Sequence, residues 1–251
     1  MPAPFSVGVS EVDSARFGLV YVRANNVAAA DVSGLLAYCR EHGAGVCVAR
    51  CDVGDFAAME ALENEGFRLK DTLVYYEAAL ERTAIPEPRL AIPIRPVKPG
   101  EAGAVGALAR AAFADYFSHY HADLRFDRSE VDDAFVDWAR RSAMDKSVAD
   151  EVFVADDGGM LAGFATLRFN DAEEGEGVLF GVHPEYQGKG IYRDFMITGM
   201  RWCLEHDRSR MIVSTQINNY TVQRAWVRLG FLHYRSFYTL HKWFVRGARA
   251  L

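Results

Sequence analysis

The chain has 251 residues, half of them hydrophobic and a quarter charged, with a net charge of −6. That length fills one large domain or two small ones, with ample core either way. The acidic balance argues against a general nucleic-acid binder, and no apolar run approaches the roughly 20 residues of a membrane span.

The N-terminus, "MPAPFSVGVSEVDSARF", lacks the charged start and long apolar stretch of a secretory signal, which predicts a cytoplasmic protein. Phe17–Arg23 then reads as a strand. Val32, Leu35, Leu36 and Cys39 recur at helical spacing before Gly43. "GVCVAR" is a short strand, Met59 and Leu62 mark a helix closing at Gly66, and "LKDTLVYYEA" returns as a strand. The four cysteines, Cys39, Cys47, Cys51 and Cys203, include no CxxC pair, and Cys47 and Cys51, four apart, make a poor zinc site. They are expected to be reduced core thiols, with no metal site.

Residues 81–100, "ERTAIPEPRLAIPIRPVKPG", hold five of the eight prolines and suit an extended connection. The expected organisation is a small αβ domain over 1–84, a Pro-rich linker with a first strand over 85–98, and a second domain over 99–251. The second domain opens on a helix with Val105, Leu108, Ala109, Ala112 and Phe113 on one face and Glu101 in its first turn. "DYFSHYHADLRFD" is too irregular for one element. Ser129 is expected to cap the next helix, whose inner face carries Val131, Phe135, Trp138 and Ser142. "EVFVA" and "LAGFATLRF" around "DDGGM" form a hairpin, and "NDAEEGEG" turns into a central strand.

That strand runs into the segment "VLFGVHPEYQGKGIY" at 178–192, which organises the chemistry. An apolar run breaks at His183–Pro184, passes through the loop Gln187–Gly188–Lys189–Gly190 and enters a helix lined by Tyr192, Phe195, Met196, Gly199, Met200 and Cys203. A loop of this kind at a helix N-terminus presents unpaired N–H groups and a positive dipole end to an anion. It is neither a Walker A loop nor a dinucleotide G-x-G-x-x-G. A strand ("MIVSTQ"), Asn219, a short helix, Gly230–Phe231 and a last strand ("RSFYTLHKWF") complete the order. The block around Val46–Gly66 echoes the block around Met211–Gly230, each closing on a glycine followed by phenylalanine.

The ordered set over about residues 95–244 resembles the Gcn5-related N-acetyltransferase (GNAT) family, whose Q/R-x-x-G-x-G/A loop binds the acyl-CoA pyrophosphate. The resemblance implies an α/β fold, a GNAT-type mixed sheet flanked by helices, preceded by a small αβ domain resembling half a GNAT core. It implies acetyl-CoA as cosubstrate, its pyrophosphate on Gln187, Gly188, Lys189, Gly190, Ile191 and Tyr192. Its pantetheine would lie along Phe180, Gly181 and Val182, where the central strand splays from its neighbour, and beside Asn219 and Trp226. Two positions depart from the family pattern. Tyr192 stands where a small residue is usual, and Trp226 stands seven after Asn219, where the family has an acid tyrosine. An indole has no useful pKa for that role, so Trp226 is expected to wall the groove.

The resemblance also places the "SHYHAD" stretch over the acceptor side. The expected base is His121 oriented by Asp123, with Tyr116, His119, Tyr238 and His241 binding substrate and His183 a further imidazole nearby. "FSHYHADLRFDRSEVDDAFVDWARRS" and "YTLHKWF" look like the branch that acetylates TDP-linked amino sugars. The expected reaction is direct acetyl transfer to a small amine on a nucleotide sugar, with no nucleic acid or membrane partner and a homodimer left open. An aminoglycoside, polyamine or protein N-terminus as acceptor, or a silent acyl-CoA-binding module, stays open beside it. Arg125, Arg128 and Lys242 would favour a diphosphate; an acidic cleft would favour a polycation.

Overall fold

The computed structural model describes residues 4–89 and 92–244. Residues 1–3, and Leu90 and Ala91 of the proline-rich stretch, lie outside the described residues. In chain order the elements are β1 (Ser6–Val9), α1 (Glu11–Phe17), β2 (Tyr21–Asn25), α2 (Val32–Glu41), β3 (Val46–Asp52), α3 (Phe56–Asn64) and β4 (Arg68–Ala79). There follow β5 (Ile94–Pro96), α4 (Ala102–Ala112), α5 (Arg128–Ser142), β6 (Glu151–Asp157), β7 (Met160–Phe169) and β8 (Glu174–Val182). The chain ends with α6 (Ile191–Glu205), β9 (Arg210–Gln216), α7 (Tyr220–Arg228) and β10 (Leu232–Trp243).

These elements gather into two compact units that interleave along the chain. One comprises the described parts of Met1–Val74, Phe117–Val131 and Arg235–Leu251; the other comprises Tyr75–Tyr116 and Asp132–Tyr234. Boundaries drawn from composition at 84 and 99 therefore differ from the compact division. The last strand and the aromatic loop at 117–131 join the first unit, because a chain can return to an earlier sheet without any compositional mark.

In the first unit β1 and β2 are antiparallel, β2 and β3 parallel, and β10 antiparallel to β3, with His241 opposite Val48 and Trp243 opposite Val46. Its core joins Leu35, Cys39, Cys47, Ala49, Cys51, Leu62, Phe67 and Leu240. Phe17, expected in a strand, ends α1 instead. Ser10 accepts from Asp13 N at one end, and Gly18, at φ +62°, caps the other. Those two local signals outweigh the apolar run beyond them.

The second unit runs β9-β8-β7-β6-β5, parallel between β9 and β8 and antiparallel elsewhere. Each unit is thus a mixed, mostly antiparallel sheet with helices against it, the expected α/β class. Leu167, Met196, Met200, Met211, Trp226 and Phe231 build one core around α6, and Ala155, Ala162, Ala165, Ile191 and Phe195 another beside it. All four cysteines are buried and free. Two helix starts differ from expectation. Asp127, one residue before α5, takes the N–H and hydroxyl of Ser129. Glu101 precedes α4 and chelates Arg95.

At Gly181 a Cβ would lie 2.5 Å from the Phe164 ring and 3.1 Å from Ala112. Packing against β7 and α4 therefore demands glycine there, whether or not a ligand approaches. Gly181→Ala should cost about 1–3 kcal/mol of overpacking, read as a lower urea midpoint at unchanged slope.

Candidate functional site

The loop after β8 presents open backbone N–H groups at the start of a helix. Pro184–Tyr186 make one 3-10 turn, and Gly188 and Gly190 then take φ +76° and +89°, a region that glycine enters without strain. Gly190 is the residue before α6 and has no side chain to cap it. The helical ladder starts with Asp194 N on Gly190 O at 3.1 Å. The N–H groups of Ile191, Tyr192 and Arg193 therefore have no acceptor within the helix. A Cβ built on Gly188 or Gly190 meets nothing within 4 Å, so this face is open. Gln187 Nε2 turns back to Val182 O at 3.4 Å, tying the loop to the strand end. Lys189 does not reach into the loop. Its ammonium lies 4.5 Å from the Tyr186 ring, whose hydroxyl donates to Asp157. Asp194, in the first turn of α6, is neutralised by Arg193 at 3.1 Å and accepts Arg89 N.

Next to the loop, β8 leaves its parallel partner. The two strands pair from Glu174–Arg210 to Gly177–Val213 and no further, while β8 stays on β7 up to Val182–Gly163. A register shift puts Val178 out of step, and Leu179 N finds the Thr166 hydroxyl at 3.0 Å. Since Leu179 and His183 direct their N–H groups towards β7, strand alternation turns those of Phe180 and Val182 the other way. Two backbone N–H and C=O pairs thus face the gap that β9 has vacated. An extended ligand with amide groups can continue the sheet there.

Across that gap, Asn219 precedes α7 and donates Nδ2 to Thr215 Oγ1 at 3.0 Å. Tyr116 donates its hydroxyl to Gln216 Oε1. Trp226, expected to wall an open groove, is 2% exposed. Its Nε1–H donates to the Tyr192 hydroxyl at 2.9 Å, and the Tyr192 ring lies 5.7 Å from Phe180. The two departures from the family pattern meet in one hydrogen bond. Burial raises the Tyr192 pKa against the Trp226 bond, so the phenol keeps its proton, and that O–H remains available to a ligand.

His119, His121 and His241 lie in the first unit, in an arrangement that local spacing does not reveal. Asp123 does not hold His121. Its Oδ2 accepts from His241 Nδ1 and Trp243 Nε1, each at 2.9 Å, with Lys70 at 3.7 Å. His241 Nε2 in turn meets His119 Nδ1 at 2.9 Å. His121 Nδ1 faces Ser118 N at 3.0 Å. A backbone N–H can only donate, so His121 Nδ1 is the accepting nitrogen and its lone pair is engaged. That geometry removes the basis for a His121–Asp123 base. The same rule orders the other chain of rings. Asp123 takes the His241 Nδ1 proton, His241 Nε2 takes the His119 Nδ1 proton, and His119 Nε2 keeps a lone pair. Tyr238 packs with Leu240 in the first unit's core, on the face of β10 opposite His241. His183 Nδ1 accepts Glu185 N at 3.3 Å.

The structure thus brings together the loop, the strand end and Asn219 that sequence reasoning singled out. That reasoning misses Thr215 and Gln216 at the end of β9, the Tyr192 hydroxyl as Trp226's acceptor, and Trp243 as Asp123's second donor. Trp243 shares a face with His241 by period-2 alternation, the one signal that could have found it.

Burial lowers the His119 and His241 pKa values, for His241 against the hydrogen bond it donates to Asp123. For Asp123, burial acts upward, but the His241 and Trp243 bonds and the Lys70 charge prevail and hold it at about 2. The folded state therefore refuses protons that the unfolded imidazoles accept below about pH 6.5. Stability should be full above that pH and fall as pH drops through it, by about 1.4 kcal/mol per pH unit for each imidazole. Urea titrations from pH 8 to 5 measure this, and His119→Gln should flatten the slope. The Asp123 contribution is present above about pH 4 and goes only between there and its folded value of about 2.

The sequence profile of the Acetyltransferase (GNAT) family matches residues 109–231. No curated protein matches the chain. A GCN5-related N-acetyltransferase from Sphaerobacter thermophilus has 16% identity and TM-score 0.65, over 98% of this chain and 78% of that one. A tandem GNAT protein from the clavulanic acid biosynthesis pathway has 13% identity and TM-score 0.60, over 89% and 75%. A GCN5-related glucosamine N-acetyltransferase region of a fungal multi-domain GH3 β-N-acetylglucosaminidase has 14% identity and TM-score 0.62, over 95% and 31%. At such identities the likeness is one of fold, and none of the three bears on the TDP-sugar branch. With the profile spanning the glycine loop and both strands of the gap, the chain has the GNAT acetyltransferase fold.

Proposed function

We propose that the chain transfers an acetyl group from acetyl-CoA directly to the amine of a small molecule, a nucleotide-linked amino sugar being the acceptor class. The observation that carries the first part is the parting of β8 from β9 immediately before an uncapped glycine loop. The pyrophosphate would rest on the N–H groups at 188–193, and the pantetheine amides would pair with Phe180 and Val182. The amine nitrogen bonds to the acetyl carbon, the C–S bond breaks, and the leaving thiolate meets the Tyr192 O–H. The ammonium proton completes the balance. Tyr192 acts here as a hydrogen-bond donor to developing charge, a role that a phenol of raised pKa can fill without losing its proton. Buried free thiols suit a reducing cytoplasm.

The acceptor class rests on the layout of the sequence. Of the cations that would favour a diphosphate, Lys242 is engaged with the Glu65 carbonyl and Arg125 lies over the Trp243 ring. A silent acyl-CoA-binding module is the rival reading, and the buried Trp226 is the observation in its favour. Thiol release from acetyl-CoA against a panel of nucleotide amino sugars, aminoglycosides and polyamines separates them. Release with the sugar nucleotides supports the proposal, release only with polycations moves the acceptor, and CoA binding without release with any amine leaves the silent module.

Two variants test the residues. Gly190→Val must hold a β-branched side chain at φ +89°, a strain of about 1–3 kcal/mol, and should weaken CoA binding at least tenfold by calorimetry. Tyr192→Phe should lower kcat by roughly 10²-fold with CoA affinity little changed. Trp226→Phe, which leaves the phenol in place, should lose less. Equal losses in both would mean that the pair acts through packing alone.

A further inference from the structure

The side of α7 turned away from Trp226 holds a separate cavity. At about 100° per residue, Tyr220, Arg224, Val227 and Arg228 lie roughly 100–160° round the helix from Trp226. With Tyr76 and Gln223 they line a space of about 360 Å³. Its floor is fixed before any ligand arrives. The Tyr76 hydroxyl donates to Gln223 Oε1 at 3.2 Å, Gln223 Nε2 donates to Ile217 O at 2.8 Å, and the Tyr76 ring sits 5.4 Å from Trp226. Its rim is the reverse, since Tyr220 is 63% and Val227 57% exposed.

The charges point one way. α7 contains no acidic residue, and among the described residues neither Arg224 nor Arg228 has a carboxylate partner. Elsewhere in the same unit Arg110, Arg168, Arg193, Arg201 and Arg210 are ion-paired, and Arg208 instead lies over the Phe169 ring and donates to the His206 carbonyl. Two like charges four residues apart on a helix repel, and an anion between them relieves the repulsion. The two side chains leave the helix about 6 Å apart, a spacing that places two guanidinium forks on neighbouring phosphates. Beside them, two phenol rings and a valine offer flat apolar surface, in a space the size of a base and its sugar.

We propose that this cavity is a nucleoside-diphosphate site, with the base on Tyr220 and Tyr76, the sugar against Val227, and the phosphates on Arg224 and Arg228. It goes beyond the acetyl-CoA reading, for none of its lining residues is one that the reading gives to acetyl-CoA. The ligand is a free nucleotide or the diphosphate head of a larger molecule, and the two share this chemistry.

Calorimetric titration of the full chain with ADP, dTDP, dTDP-glucose and inorganic pyrophosphate tests it. The glycine loop is first saturated with CoA so that it does not compete. Failure of CoA to bind would count against the acetyl-CoA reading alone, and the titrations would then run without it. ADP or dTDP is expected to bind, and Arg224→Ala with Arg228→Ala to weaken that binding at least tenfold. Tyr220→Ala should weaken the nucleotides and leave pyrophosphate unchanged. Tighter binding of dTDP-glucose than of dTDP identifies the head of a sugar nucleotide, and equal or weaker binding a free nucleotide. The proposal is overturned if neither nucleotide binds, if the double variant binds as the wild type does, or if pyrophosphate binds as tightly as the nucleotides. All three substituted residues lie on the exposed side of α7, and an unchanged thermal midpoint will confirm that the variants fold.

Discussion

Everything that makes the second unit a candidate enzyme depends on where β8 lets go of β9. The strand is locked on one side of that point. Glu174 pairs with Arg210 at 2.6 Å and Glu176 with Arg168 at 2.6 Å, and Gly175 lies against the Cys203 side chain. At Gly177 the room for a Cβ is filled by the Phe180 ring at 2.7 Å and Met211 at 2.9 Å, so the chain folds a later side chain back over an earlier residue. The displaced Val178 and the Thr166 hydroxyl bond to Leu179 then turn the strand onto β7 alone. A sheet that closed here would satisfy its own N–H and C=O groups. One that opens must leave them to water or to a ligand, and the glycine loop lies at the end of that opening.

The first unit shows what the same order of elements does without the opening. Its β2 and β3 are parallel, as β8 and β9 are, and both halves end a helix on a left-handed glycine, Gly66 at φ +83° and Gly230 at φ +88°. But β2 and β3 stay zipped beyond the end of β2, where Val27 N still reaches Arg50 O at 3.0 Å. The connection to α2 has no glycine, and its Ala28 N–H is met by the Asp31 carboxylate at 2.9 Å. An internal carboxylate occupies the place that a phosphate would need. The repeated pattern is therefore a repeat of architecture, and the open glycine loop belongs to one copy.

Legibility in the sequence follows the range of the forces. The α/β class, the hairpin at Gly158–Gly159, the helix ends at Gly43 and Gly66 and the glycine loop before α6 all depend on neighbours within a few residues, and they are readable. So is Asn219 before α7. Phe17 is misplaced because a helix cap competes with an apolar run, and the run carries more letters. The assignment of the aromatic loop at 117–131 to the first unit is not readable at all. That loop is held by β10, over a hundred residues away, and periodicity carries no information at that distance.

The His–Asp cluster makes the same argument at the scale of single protons. One residue separates His121 from Asp123 in the chain, yet in the fold Asp123 belongs to His241, 118 positions on. Adjacency in sequence suggests a pair; strand register makes a different one. The consequence is chemical as well as geometric. Each fixed donor dictates the tautomer of the next ring, so an ionised Asp123 and one backbone N–H at Ser118 suffice to assign three imidazoles. His121 leaves that assignment with its accepting nitrogen engaged, and His119 leaves it with a lone pair on Nε2. A residue of the right chemical type in the right stretch can thus have its lone pair engaged by one hydrogen bond, and only the order of donors along the chain of rings reveals it.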